Sequence, residues 1–294
     1  MRKVILTLCL LNSILLYSQI EDIQQNVPDK TVYNKQTFKS SRVVIGQSVE
    51  TTPNGDLTLL VSHHFGAVNT GFYEFFGLDQ ASTRLGVEYG INNFMSAGIG
   101  RSTYNKTFDG YLKFRALKQS KGKKNMPLSM SVFGNIAVNT LKLSDPKQKD
   151  YFNARLSYCT ELILARQFGK LFSLQIAPTY IHKNLVETPE DHNDLFSIGT
   201  GVSFRISDKI SLNGEYHYLL PNQVNSSTPV NSLSFDCDIK VGQHIFQLFF
   251  TNSQGNFEEA FITETIGKWA DGYIYFGFNI HRYFTVKEPP VPER

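Results

Sequence analysis

From Asp56 onward, apolar and polar residues alternate with a period of two, the pattern of strands that present one greasy and one wet face. Leu57, Leu59, Val61 and Phe65 share one parity and Thr58, Ser62 and His64 the other, with Leu60 out of step. The same alternation sets Leu85, Val87 and Tyr89 against Arg84, Gly86 and Glu88, and Phe108, Leu112 and Phe114 against Asp109, Tyr111, Lys113 and Arg115. It recurs through Phe204, Leu212, Phe235 and Leu248 to Ile274–Phe284, where Phe276, Phe278 and Ile280 oppose Gly277, Asn279 and His281. The repeats make about 12 segments of about 9–12 residues, the length with which a tilted strand crosses a bilayer. Tight links (Gly90–Asn93, Phe168–Lys170, Ser207–Lys209, Lys240–Gln243) mostly alternate with long ones, around Gly66–Gln80, Thr140–Asp150, Lys183–Asp194, Leu220–Val230 and Asn252–Asp271. An even strand number returns both ends of the barrel domain to one side. Two features break the pattern: Tyr104–Lys106 is shorter than Lys118–Asn125, and Pro178 stands inside the seventh segment, where it removes a ladder donor.

Alternation alone does not say which face is outside. A soluble sandwich or lipocalin-like barrel would bury the apolar face; a membrane barrel turns it outward. Aromatics at segment ends (Tyr89, Phe94, Phe108, Phe152, Phe172, Tyr218, Phe284) are placed like interfacial girdles. The opposite face is rich in Gly, Ser and Asn, as a wet or plugged lumen requires. After Gln19 no apolar run approaches the ~20 residues of a membrane helix. The expected class is all-β, a closed antiparallel transmembrane β-barrel.

The N-terminus assigns the compartment. Arg2 and Lys3 precede an apolar run from Val4 to Leu16, and Tyr17–Gln19 ends it, the layout of a secretory signal peptide. Residues 1–18 are therefore read as signal peptide, 19–55 as an N-terminal periplasmic or plug segment, 56–284 as the barrel and 285–294 as a tail. Leu6–Leu8 before Cys9 lacks the small residues of a lipidation site. Loss of Arg2 and Lys3 lowers the formal charge from +3 to +1, so no nucleic-acid footprint exists. Cys159 and Cys237 have opposite parity and are expected not to bridge.

Specific strings carry a resemblance: TFKSSR (Thr37–Arg42), GQSVE (Gly46–Glu50), SHHFG (Ser62–Gly66), FGLDQA (Phe76–Ala81) and GIGRS (Gly98–Ser102). FDGYLKFR (Phe108–Arg115), FQLFFTNSQG (Phe246–Gly255) and FITETIGKWADGYIYFGFNI (Phe261–Ile280) extend it. Together, from Thr37 to Phe284, the chain resembles a family of membrane-bound β-barrel domains of unknown function from Gram-negative outer membranes. The resemblance implies fold and location, and brings no catalytic residues.

Candidate chemistry is sparse. His63 and His64 are strand neighbours pointing to opposite faces, so they do not chelate one ion. The acidic loops around Glu187–Asp194 and Glu258–Asp271 lack the ligand spacing of a calcium cage, and no nucleophile signature accompanies Ser62. No cofactor, metal or catalytic site is expected. Parity points Lys113 and Arg115 of the fourth strand, Glu215 and His217 of the ninth, and Asp236 and Asp238 of the tenth into the lumen. In a 12-strand closure the fourth and tenth strands face each other, so these rows are expected to set a transverse field at a constriction. Trp269 is the candidate loop contact, either in an inward-folded constriction loop or in a cap with Phe261, Ile262 and Ile266. The small residues Ser96, Gly98 and Gly100, and Ser197–Ser203, invite close approach by Arg42–Glu50 or by the Trp269 loop. Lumenal Gln247 and Asn279 are expected to tolerate arginine, unlike lipid-facing Leu248 and Phe278. The functional expectation is a narrow porin-like or substrate-selective channel for small solutes. The alternative is a closed barrel that acts as scaffold or docking partner for periplasmic or surface proteins. Expected partners are outer-membrane lipid, small solutes and possible periplasmic proteins.

Overall fold

The computed structural model describes residues 30–142 and 151–287; the signal-peptide assignment and most of the tail lie outside the described residues. Hydrocarbon offers a backbone amide no partner, so a strand that crosses it must be paired on both edges. The chain meets this with consecutive hairpins: β1 Asp56–Ala67, β2 Ala81–Asn92, β3 Met95–Ser102, β4 Phe108–Leu117, β5 Ser129–Val138 and β6 Leu156–Phe168. The second half continues with β7 Phe172–Lys183, β8 Asp194–Arg205, β9 Ile210–Leu219, β10 Ser232–Val241, β11 His244–Thr251 and β12 Tyr275–Thr285. Each strand pairs antiparallel with the next, and β12 pairs with β1 to close a 12-strand barrel. Register keeps like faces together: Leu248 lies opposite Phe278, and Gln247 opposite Asn279. A one-residue slip would exchange those faces.

The apolar parity faces outward. Ile99 is 64% and Leu85 56% exposed, whereas Thr58, Ser96 and Lys113 are fully buried. This inverts a soluble barrel and excludes that alternative, because such a surface would stand in water. Cationic side chains lie over aromatic rings near the strand ends: Arg101 over Phe108, Arg166 over Phe168 and Arg282 over Phe284, at 5.0–5.4 Å. Such pairs suit an interface, where the ring is apolar and the cation stays wet. Cys159 faces inward and Cys237 outward, and both are free.

The two irregularities have physical reasons. The long link after β4 pairs Ser120 and Lys121 with Tyr33 and Val32, so it anchors the N-terminal segment at the end of the barrel that carries both chain ends. At Pro178 the ladder to β8 is continuous, but the ladder to β6 skips from Glu161↔Thr179 to Leu164↔Ile176, as the missing donor requires. One boundary differs from the alternation: Phe152–Arg155 is a 3-10 turn, and β6 begins only at Leu156. In the link from β1 to β2, the 3-10 segment Val68–Gly77 exposes Phe72 and Tyr73.

Leu248→Arg should lower barrel stability by about 2–4 kcal/mol near the bilayer midplane, measured by urea titration of protein refolded in vesicles. Gln243→Arg, in the exposed turn between β11 and β10, should leave the midpoint unchanged.

Candidate functional site: a plugged lumen

About eight strands enclose a space that wall side chains fill by themselves; twelve leave room. Two chain segments occupy it. From the end bearing the termini comes the N-terminal segment, buried without interruption from Thr37 to Val49. From the opposite end comes the loop after β11, with helix α1 (Glu258–Thr263) inside the barrel. Phe38, Val43, Val44, Ile45 and Val49 of the first segment pack with Phe261 and Ile262 of the second, and with Phe133, Ile163, Ile181 and Phe249 of the wall. Residues 37–49 of the N-terminal segment are therefore a plug and not a free tail, whereas its residues 19–29 lie outside the described residues.

The plug is a hairpin-like turn. Ser48 N–H donates to the Ser41 carbonyl at 3.0 Å and Val43 N–H to the Gly46 carbonyl at 2.9 Å. Its own Ser40, Arg42 and Ser48 side chains bond some of the remaining backbone groups, and wall side chains claim many of the others. Glu215 accepts from the amides of Val44 and Gly46, both at 3.0 Å. Gln247 donates to the Val43 carbonyl and Asn279 to that of Val44. Gln175 accepts from Val49 N–H and donates to the Gln47 carbonyl, and Ser131 donates to the Val49 carbonyl. On the far wall Lys113 Nζ donates to the carbonyls of Ser41, Ser48 and Glu50 at 2.9, 3.1 and 3.0 Å. A cation thus meets carbonyl oxygens on one side and a carboxylate meets amides on the other, both charge-assisted and shielded from water. Glycine at position 46 lets the tip lie close to the wall, because a Cβ there would come within 3.2 Å of His217 and Glu215.

Two acids fix the plug further. Glu88 accepts from Ser41, Thr52, Ser96 and Tyr111. Glu258 of α1 pairs with Arg42 at 2.5 Å and accepts from Gln47 and Asn135, so the inner and outer segments are latched to each other. Beside it, Glu259 has its carboxyl raised above the usual range, first by burial, with the Lys183 ammonium at 3.4 Å opposing the shift.

All six residues assigned to the lumen by parity point inward, and β4 and β10 lie six strands apart as the closure requires. They do not, however, bound an open constriction. Lys113 and Glu215 hold the hairpin, and His217 hydrogen-bonds Glu215 at 3.1 Å and packs on Phe261. Arg115 pairs with Glu50 of the N-terminal segment at 3.0 Å. Asp236 and Asp238 accept from Asn213, Ser211 and Gln247. Trp269 is a correction as well. It stands outside the lumen, with its indole N–H on the Leu233 carbonyl and its ring edge-on to Phe235, while Ile266 is exposed. Of the four residues of the expected cap, only Phe261 and Ile262 turn inward, because α1 carries them into the barrel. Gln247, fully buried among Asp236, Asp238 and His281, has no room for arginine, which overturns its expected tolerance. Of the small residues, Gly201 receives the plug through Val43, whereas Gly98 and Gly100 make room for Tyr111 and Arg84.

Glu88, Gln175, Gln247 and Asn279 were legible as inward residues by parity alone, but nothing in their spacing distinguished plug-holding groups from a solvated wall.

A family model described as "Membrane bound beta barrel domain (DUF5777)" matches residues 38–284, which takes in the plug as well as the barrel. Among solved structures, the NanC porin is 10% identical, covers 78% of this chain and 98% of its own, and superposes with a TM-score of 0.48. An outer membrane channel from Pseudomonas putida F1 is 9% identical over 80% of this chain and 98% of its own, with a TM-score of 0.46. Outer membrane phospholipase A from Escherichia coli is 9% identical over 83% and 98%, with a TM-score of 0.42. No curated protein matches the sequence.

Arg42→Met should destabilise the folded barrel by about 3–5 kcal/mol, because it leaves Glu258 charged and buried without its partner. Adding Glu258→Leu should recover most of that loss, read as a non-additive pair in urea unfolding.

Proposed function

We propose that this chain, which belongs to the family of membrane-bound β-barrel domains, is an outer-membrane conduit for small polar solutes, shut by its own N-terminal hairpin and opened when the hairpin withdraws. The observation that carries this reading is how the hairpin is held. It enters from the end bearing the termini, and its ties to the wall are side-chain hydrogen bonds, ion pairs and apolar contacts, with no strand of the barrel ladder shared. Withdrawal therefore breaks no barrel hydrogen bond, and water can take over the polar wall it leaves. Glu88, Lys113, Glu215, Asp236 and Asp238 would then line a wet passage. Lys113 on β4 and the aspartates on β10 would face each other across it and orient dipolar solutes.

A second reading, a permanently closed barrel that serves as a scaffold, draws on the outer segment. Phe261 and Ile262 fill the lumen from the other side, so a conduit requires that segment to yield too.

Conductance in planar bilayers separates the two. The unmodified chain should open rarely, and Lys113→Met, which frees three plug carbonyls, should raise the open fraction at least tenfold. In the open state Asp236→Asn with Asp238→Asn should shift selectivity toward anions. Silence from every variant, with folded barrels verified by gel migration, supports the scaffold instead.

A further inference from the structure

The end of the barrel that bears the termini is not filled flush. A cavity of about 480 Å³ opens there between the stem of the hairpin and the wall, a size within the range of small-ligand sites. Lys35 and Lys39 project from the stem, and Arg115, Lys118 and Lys240 from the wall and its turns; Glu50 and Asp56 are the acids that line the cavity with these five cations, and Asp208 and Asp238 lie near Lys39. Glu50 is already engaged, by the Arg115 guanidinium and by the amide of Thr37 at 2.6 Å. Lys39 donates only to the neutral carbonyls of Ser207 and Asp208. Burial, and then Arg205 beside it, hold its ammonium below the usual lysine range. The side-chain ammoniums of Lys118 and Lys240 make no hydrogen bond or ion pair among the described residues. Like charges gathered against a low-dielectric wall create a standing positive potential. Oxygen anions with more than one charge are its natural complement.

We propose that this vestibule binds a soluble polyanion, a molecule with two or more phosphate or carboxylate groups that bridges the lysines of the hairpin stem and those of the wall. Because the lining is divided between plug and barrel, a bound anion favours the plugged state. The site rests on the hairpin being in place and is independent of whether the barrel ever conducts.

Inorganic pyrophosphate is the probe, titrated calorimetrically into the full chain refolded in uncharged detergent at low salt. Saturable one-site binding is expected, weakened at least tenfold by Lys118→Gln with Lys240→Gln. Lys170→Gln, in the turn between β6 and β7 and outside the cavity, should leave it unchanged. Should the double variant fail to fold, Lys35→Gln, at an exposed position on the stem, must show the weakening. Absence of saturable binding, or equal loss with Lys170→Gln, overturns the proposal. Binding should also persist in phosphatidylglycerol vesicles; its loss there would assign the cations to lipid headgroups and overturn the soluble ligand. Positive binding with no conductance would sink only the conduit.

Discussion

Hydrocarbon gives a polar group nothing to bond to, and the rest of the molecule follows from that. Each strand must be paired on both edges, so the chain of hairpins closes on itself at β1 and β12. The apolar parity must face out, so the polar parity is turned inward. Closure therefore creates a second problem, a lumen lined with ionic and amide groups that each need a partner. The N-terminal hairpin and the loop bearing α1 answer it.

The solution is asymmetric. One wall offers a cation and the other a carboxylate, and the hairpin lies between them with carbonyls toward Lys113 and amides toward Glu215. Fixed charges that could have steered a solute instead orient a piece of the protein's own backbone. Wall residues with reach, Gln175, Gln247 and Asn279, complete the pairing. Water could satisfy the same groups. A plugged and an unplugged lumen are thus two arrangements of one polar inventory, which is the physical basis for a barrel that opens.

The two filling segments are not equivalent. The outer one brings apolar mass, with Phe261 and Ile262 fully buried, and is tied covalently to β11 and β12. The inner one adds apolar side chains of its own but is held to the wall largely through its backbone, and it enters beside a cationic vestibule. Arg42 and Glu258 join them, so movement of one is felt by the other.

Strand parity was legible in the sequence because it is local: a side chain's face depends only on its place in a two-residue repeat. That repeat determined which residues meet lipid, that Lys113, Glu215 and Asp236 point inward, and that Cys159 faces inward and Cys237 outward. The resemblance of short strings added the family. What fills the lumen was not local. Lys113 finds its carbonyl partners 63, 65 and 72 residues away along the chain. No periodicity marks 37–49 as buried, because much of its polar backbone is satisfied by side chains scattered over six wall strands, β4, β5, β7, β9, β11 and β12, and not by a ladder of its own. Likewise Trp269 and Phe261 share one loop, yet α1 sends Phe261 inward while Trp269 stays at the rim. Only closure of the barrel brings those distant partners within hydrogen-bonding reach, and that is why tertiary structure alone decided whether the inward charges face solute or plug.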